Sequence, residues 1–203
     1  MLLPLPASGG RAKTGNGPER SGPFPFAQDA DIAAAAEAIP CVHSHPECAV
    51  DYIVEGLPLE PFQPLFGMPG DELREHGVSR VVADGPGYPC RVTLEDAGPG
   101  ESLLLLNWRH LDADTPYRSD GPIFVRESAR ASARVRNAIP RQQRIRLLSV
   151  RAYDANGWMR DADVVEGAGL ESMIGRFFDD PEVGYLHVHN ARRGCYACRI
   201  ERA

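Results

Sequence analysis

The residues best suited to chemistry lie near the carboxyl end, in the stretch VGYLHVHNARRGCYACR (183–199). This pattern is typical of two strands joined by a turn, and side chains alternate between the two faces of a strand. We expect a hairpin in which His189 lies opposite Cys195, because the register with a four-residue loop would bury Arg199 among apolar residues. The expected register places His187, His189, Cys195 and Arg199 on one face. The other, apolar face then holds Leu186, Val188, Tyr196, Cys198 and Ile200.

Two imidazoles and a thiol on one face are the ligand types of a transition-metal site, such as a zinc site, and of a thiolate activated by histidine. We therefore take His187, His189 and Cys195 as candidate metal ligands or catalytic groups, and Arg199 as a residue that holds an anion. The alternative is that the solvated side of an ordinary hairpin carries these residues. Cys195 and Cys198 also form a C-x-x-C pattern, but residues three apart in a strand point to opposite faces, so the pair does not predict a shared ion.

Two more residues are candidate neighbours of this site. Cys90 follows a Gly/Pro turn at the start of a predicted strand, where Arg91 would favour its thiolate; the alternative is a small buried apolar residue. His110 ends an apolar strand and precedes the loop DADTPYR, so it could reach the same pocket. The alternative for His110 is a solvated side chain.

Two other motifs fit known sites poorly. The stretch CVHSHPEC (41–48) contains four possible zinc ligands, Cys41, His43, His45 and Cys48, but their spacing is tighter than that of ordinary zinc modules. The glycines of GAG (167–169) lie between a strand and a helix, as in a phosphate-binding turn, but the fuller glycine pattern is missing. We treat both motifs as accidental.

The segment 126–151 contains eight arginines and a single acid, Glu127. One hypothesis is therefore a non-catalytic binding module that uses this segment to hold an anionic ligand or an acidic partner. The alternative is a solvated face whose arginines pair with acids of the same chain. The acids expected for that pairing are Asp154, Asp161, Asp163 and Glu166.

Pro69 and the acids of the first turn, with Gly77 at the end, predict a helix over 69–76, and the i, i+3, i+4, i+7 apolar stripe that begins at Leu170 predicts one over 170–178. Strands are predicted over 78–83, 90–94, 102–110, 122–125, 145–153, 158–166, 183–189 and 194–200. The four leucines of 102–110 favour a central strand, and Asn156-Gly157 predicts a tight hairpin. The order of these elements indicates an α+β domain with a largely antiparallel sheet and two or three helices.

Length and composition are those of one ordinary globular domain with an added segment. We expect residues 49–203 to form this domain, and residues 1–48 to be a disordered extension with a marginal helix over 28–39. The net charge of −6 argues against nucleic-acid and membrane-surface binding and leaves a small-molecule or protein partner open. Five cysteines, an odd number, and no secretory signal favour reduced thiols and a cytoplasmic location.

Residues 52–203 resemble the bacterial family known as domain of unknown function 1203 (DUF1203). The segments that carry the resemblance are YPCRVTLEDAGPGESLLLLNW (88–108), DADTPYR (112–118), IFVRE (123–127), RAYDANG (151–157), DADVVEG (161–167) and YLHVHNARRGCYA (185–197). The resemblance implies no reaction, catalytic residue or ligand. The enzyme or metal-site hypothesis and the binding-module hypothesis therefore both remain open at the level of sequence.

Overall fold

The computed structural model describes residues 50–203. The expectations for residues 1–48, including the helix over 28–39 and the CVHSHPEC motif, lie outside the described residues. None of the helices within residues 50–203 has the length and apolar character that crossing a membrane requires.

The described part of the chain contains nine strands and three helices. The strands are β1 Tyr52–Glu55, β2 Ser79–Val82, β3 Ser102–Leu111, β4 Ser119–Arg126, β5 Arg134–Arg136, β6 Leu147–Tyr153, β7 Met159–Glu166, β8 Tyr185–Asn190 and β9 Tyr196–Arg202. The helices are α1 Gly70–Glu75, α2 Arg141–Arg144 and α3 Leu170–Phe178. Short 3-10 turns occupy Gln63–Leu65 and Gly167–Gly169.

These strands form two antiparallel sheets. The larger has six strands in the order β5-β1-β9-β8-β6-β7, and the smaller has three in the order β2-β3-β4. The predicted α+β class with antiparallel strands is therefore confirmed. The prediction of β3 as a central strand holds only for the smaller sheet, whereas β9 and β8 lie at the centre of the larger one.

Helix α3 covers one face of the six-stranded sheet. Its apolar stripe is buried, as the spacing predicts, against side chains that include Val150, Val188 and Ile200. The opposite face of the sheet contributes Tyr196 to a second apolar cluster, together with Ile123 and Val125 of β4. The layers are thus helix, six-stranded sheet and three-stranded sheet, and the space between the two sheets is where polar side chains of both can meet.

Some predicted elements are wrong and others were missed. Residues 90–94 are turns rather than a strand, with one isolated bridge from Cys90 to Phe124, and Leu94 has a positive φ of 54°. Strands β1 and β5 and helix α2 were not predicted. Each has four residues or fewer, too short for a periodic pattern to be recognised. The hairpin at Asn156-Gly157 is confirmed, with Gly157 at a φ of 84°.

Candidate metal centre

Three histidines from two sheets converge in the space between the sheets. His187 and His189 are alternate residues of β8 and therefore lie on the same face of the larger sheet. His110 reaches them from the end of β3 in the smaller sheet. One ring nitrogen of each histidine lies within 4.8 Å of one ring nitrogen of the other two. We call His110, His187 and His189 the imidazole cluster.

The hairpin that carries the cluster does not have the predicted register. His189 lies opposite Tyr196 rather than Cys195, whereas His187 lies opposite Arg199. An irregularity between these pairs leaves Ala197 as an extra residue in β9. Beside the turn, the hairpin therefore has the register with a four-residue loop, contrary to our expectation. Beyond the bulge, the alternation of side chains between the two faces is shifted by one residue, and this shift keeps Arg199 out of the apolar core. The prediction that Tyr196 joins Leu186 in the core was wrong, because this same bulge turns Tyr196 towards the histidines.

The His110 ring packs edge to face against those of His187 and His189, which are tilted by 50° to each other. The ring centroids of His110 and His187 are 5.8 Å apart, those of His110 and His189 are 5.1 Å apart, and those of His187 and His189 are 6.4 Å apart. Tyr196 stacks on His110 with a centroid distance of 4.9 Å and an interplanar angle of 9°. Its ring also meets the edges of His187 and His189. Tyr196 therefore fixes the orientation of all three imidazoles.

Each ring of the cluster has one buried nitrogen with no hydrogen-bond partner among the described residues. These atoms are His110 Nδ1, His187 Nδ1 and His189 Nε2. The other nitrogen of His189, Nδ1, lies 3.1 Å from the carbonyl oxygen of Gly194. A bond from one imidazole nitrogen to a backbone carbonyl leaves the other as the lone-pair nitrogen that a metal requires.

Burial keeps the imidazoles neutral. His187 and His189 are each only 1% exposed, and His110 is half-buried. Desolvation is the main cause that lowers the pKa of His110 to about 4, that of His187 to about 2 and that of His189 to about 3. Nearby positive charge acts in the same direction, from Arg151 on His110 and His189 and from Arg199 on His187. At neutral pH all three rings therefore have a free lone pair.

Two arginines flank the cluster on neighbouring strands. Arg151 of β6 and Arg199 of β9 lie on either side of His187 in the register of the sheet. The Arg199 guanidinium lies 3.7 Å from the centre of the Tyr185 ring, and its Nε donates to Glu201 at 2.5 Å. Arg199 thus shares a face with His187, as expected from the sequence, but it is already engaged by an aromatic ring and a carboxylate.

The two cysteines singled out from the sequence lie outside the imidazole cluster. Cys195 Sγ accepts hydrogen bonds from Arg91 Nη2 at 3.1 Å and from Asn190 Nδ2 at 3.4 Å. Because Asn190 and His189 are consecutive strand residues, their side chains leave the sheet on opposite sides. Cys90 is fully buried within the apolar cluster that contains Tyr196. From the sequence we expected His110 only as a neighbour of the site and Cys195 as one of its ligands. In the structure His110 is the third member of the imidazole cluster, and Cys195 is not part of it.

The arginine-rich segment 126–151 is largely paired within the fold. Five of its arginines contact carboxylates: Arg126 with Glu95 and Glu101, Arg134 with Glu55, Arg136 with Asp51, Arg144 with Glu171, and Arg146 with Asp96. The pairing partners expected from the sequence were wrong, since Asp163, for example, pairs with Arg176 of α3. The acids that neutralise the segment come from elsewhere in the fold: from β1 and the residue before it, from the 90–101 turns and from α3.

Comparison with known proteins places the chain without assigning it a reaction. No curated protein and no solved structure matched it significantly. The sequence profile of the family described as "Protein of unknown function (DUF1203)" matches residues 87–202. This match covers more than half of the chain and includes the whole imidazole cluster. The chain therefore belongs to the DUF1203 family.

Proposed function

We propose that the protein binds a transition-metal ion, such as zinc, through His110, His187 and His189. The observation that carries the proposal is the set of three buried imidazole nitrogens without hydrogen-bond partners. A buried polar atom without a partner costs about 1 to 3 kcal/mol. Because the three rings also converge, with one nitrogen of each within 4.8 Å of one nitrogen of the others, they offer a binding site for a shared ligand.

The distances between the ring nitrogens allow one ion to contact all three. Zinc–nitrogen bonds of 2.0 to 2.1 Å around a tetrahedral ion place ligand nitrogens about 3.3 Å apart. The upper limit of 4.8 Å in this structure is wider, so the rings would have to rotate inwards by small changes of their side-chain torsions. An ordered water could also join the same nitrogens, and the metal experiment below separates these two occupants.

The ligand set determines the chemistry of such an ion. Three neutral imidazoles leave the full charge on a divalent metal and leave its fourth position open, an arrangement typical of catalytic zinc sites rather than structural ones. Arg151 and Arg199 add positive charge on both sides of His187. The open position is therefore suited to an anion, such as hydroxide or a carboxylate. Metal-assisted hydrolysis is the reaction class that this arrangement supports.

The test is metal analysis of full-length protein purified without an affinity tag. We expect about one equivalent of metal per chain and, for the His187→Ala and His110→Ala variants, metal affinity reduced by at least about tenfold. The matched control is His76→Ala, since His76 is an exposed histidine at the end of α1. Cobalt would supply an independent readout, because its visible spectrum reports the number and type of its ligands.

Two outcomes would refute the metal site. One is protein that neither retains metal on purification nor binds added zinc or cobalt stoichiometrically. The other is metal binding that His187→Ala, His110→Ala and His76→Ala leave equally intact. His110→Ala guards against misfolding as the cause of lost binding, because the half-buried His110 leaves a smaller disturbance than the buried His187.

The other sequence hypotheses have weaker support. The binding module based on segment 126–151 stays a prediction, and the ion pairs of five of its eight arginines leave it few free arginines. We further propose a reducing, cytoplasmic environment. Its support is that Cys90, Cys195 and Cys198 are all free thiols within the described part of the chain.

A further inference from the structure

A separate cavity lies at the turn end of the β8–β9 hairpin, and none of the three histidines of the imidazole cluster lines it. It has a volume of about 350 Å³ and is bordered by the turn between β8 and β9, by the loop that precedes Arg91 and by the chain around Arg146. We call it the arginine cavity, after Arg91, Arg146, Arg192 and Arg193 in its wall. Its volume is at the lower end of the range typical of small-molecule sites.

The wall of the arginine cavity is strongly positive. It contains four arginines and one carboxylate, Glu166, in a protein whose net charge is −6. Arg146 is paired with Asp96 at 2.7 Å. Within residues 50–203, none of Arg91, Arg192 and Arg193 forms an ion pair. The cavity is therefore a local concentration of positive charge that the fold itself does not neutralise.

Arg91 is the unusual member of this set, because its side chain is only 1% exposed. Its Nε donates to the carbonyl oxygen of Tyr196 at 2.7 Å, its Nη1 donates to that of Pro89, and its Nη2 donates to Cys195 Sγ at 3.1 Å. A guanidinium has five N–H groups, so these contacts leave two of them available. A buried charge without an opposite charge is costly, and an anion in the cavity would supply one.

We propose that the arginine cavity binds a small oxyanion, either a carboxylate or a phosphate. Arg91 is held rigidly at the cavity wall by its three hydrogen bonds, while Arg192 and Arg193 are exposed in the turn and can close over the ligand. Arginine is the side chain best matched to both groups, because its planar fork donates two parallel hydrogen bonds to one oxyanion. Of the eight arginines in segment 126–151, only Arg146 lines this wall, so the site is distinct from the binding module considered above.

Cys195 provides a direct readout, because its half-buried sulfur lines the same cavity and contacts Arg91. The experiment measures the rate at which uncharged iodoacetamide alkylates Cys195, resolved from the other cysteines by peptide fragmentation. Inorganic phosphate and succinate are compared with chloride at constant ionic strength. At about ten times its Kd, a bound anion should slow the alkylation about tenfold, since only the unliganded fraction reacts. The more protective anion identifies the ligand class.

Matched variants locate the effect. The Arg192→Ala/Arg193→Ala variant should lose the protection, whereas Arg141→Ala/Arg160→Ala, which removes two exposed arginines elsewhere, should retain it. His110→Ala should also retain it, because His110 belongs to the imidazole cluster. The proposal is overturned if neither anion slows alkylation, if Arg192→Ala/Arg193→Ala remains protected, if the Arg141/Arg160 control also loses protection, or if protection disappears in His110→Ala.

Discussion

His189 of β8 lies directly opposite Tyr196 of β9, whereas its neighbour Val188 lies opposite Cys198. Ala197 is thus an extra residue in the ladder, and the bulge brings an aromatic ring to the face that carries the histidines. Without this bulge, regular alternation would continue from the Val188–Cys198 pair and place Tyr196 with Cys198 on the α3 side. The packing of Tyr196 on the imidazole cluster therefore depends on one irregularity in an otherwise regular hairpin.

The Tyr196 ring should be a major source of stability at this site. It is only 4% exposed and packs against all three imidazoles. We expect Tyr196→Ala to lower the free energy of unfolding by about 3 to 5 kcal/mol, the usual loss for a buried aromatic ring. Urea denaturation would measure it. Tyr196→Phe is the control, because it keeps the ring, and equal losses in both variants would contradict the role of ring packing.

Metal binding should stabilise the folded protein, because the three histidines are brought together only by folding. At a free zinc concentration of about 100 times Kd, the free energy of unfolding should rise by about 2.7 kcal/mol over that of chelator-treated protein. Denaturation curves with and without zinc would measure the gain. His76→Ala should show the same gain, whereas the at least tenfold weaker site of His187→Ala should limit it to about 1.4 kcal/mol or less. A gain of full size in His187→Ala would mean that the ion binds elsewhere.

The carboxylate of Glu127 should make the smaller sheet sensitive to acid. Arg80 donates to both of its oxygens at 2.8 Å, and Ser102 Oγ and the backbone N–H of Gly67 also donate to it. The hydrogen bond from Arg80 is the main cause that lowers the pKa of Glu127 to about 2 from a usual value of 4.5.

Because the unfolded chain takes up this proton first, the contribution of Glu127 is fully present above about pH 4.5 and is lost as the pH falls towards 2. Glu127→Gln should lower the free energy of unfolding at neutral pH by about 1 to 3 kcal/mol. It should also flatten the dependence of stability on pH in this range. If Glu127→Gln leaves the slope of the free energy of unfolding against pH unchanged between pH 4.5 and 2, Glu127 is not the source of the acid sensitivity.

Two glycines should respond to alanine in opposite directions. Gly157 has a φ of 84°, and a Cβ there would lie 2.4 Å from Ala113 Cβ. We expect Gly157→Ala to cost more than about 1 kcal/mol. Gly175 lies within α3 with open space around its missing Cβ, so Gly175→Ala should stabilise the protein by about 0.5 to 1 kcal/mol. Thermal unfolding would compare them, and changes of the same sign would contradict this account.

The sequence alone determined the elements whose signals are local. The apolar stripe of α3, the Asn156-Gly157 hairpin and the strands around the His-x-His of β8 follow from side-chain periodicity and turn chemistry, which depend only on neighbours along the chain. These signals were sufficient for the fold class and for placing His187 and His189 on one face. They could not find β1 or β5, because three or four residues acquire strand geometry only by pairing with a distant partner.

Only the tertiary structure decided the third member of the cluster and the place of Cys195. His110 is 77 residues before His187 and reaches it because two separate sheets pack face to face. The extra residue Ala197 shifts the register of the hairpin. As a result Tyr196, and not Cys195, lies opposite His189. Arg91 became a buried cation because the turns around Cys90 pack against β9. The places of His110 and Arg91 depend on packing between segments far apart in the chain, and that of Cys195 depends on a bulge in a short hairpin. No local pattern of residues encodes either.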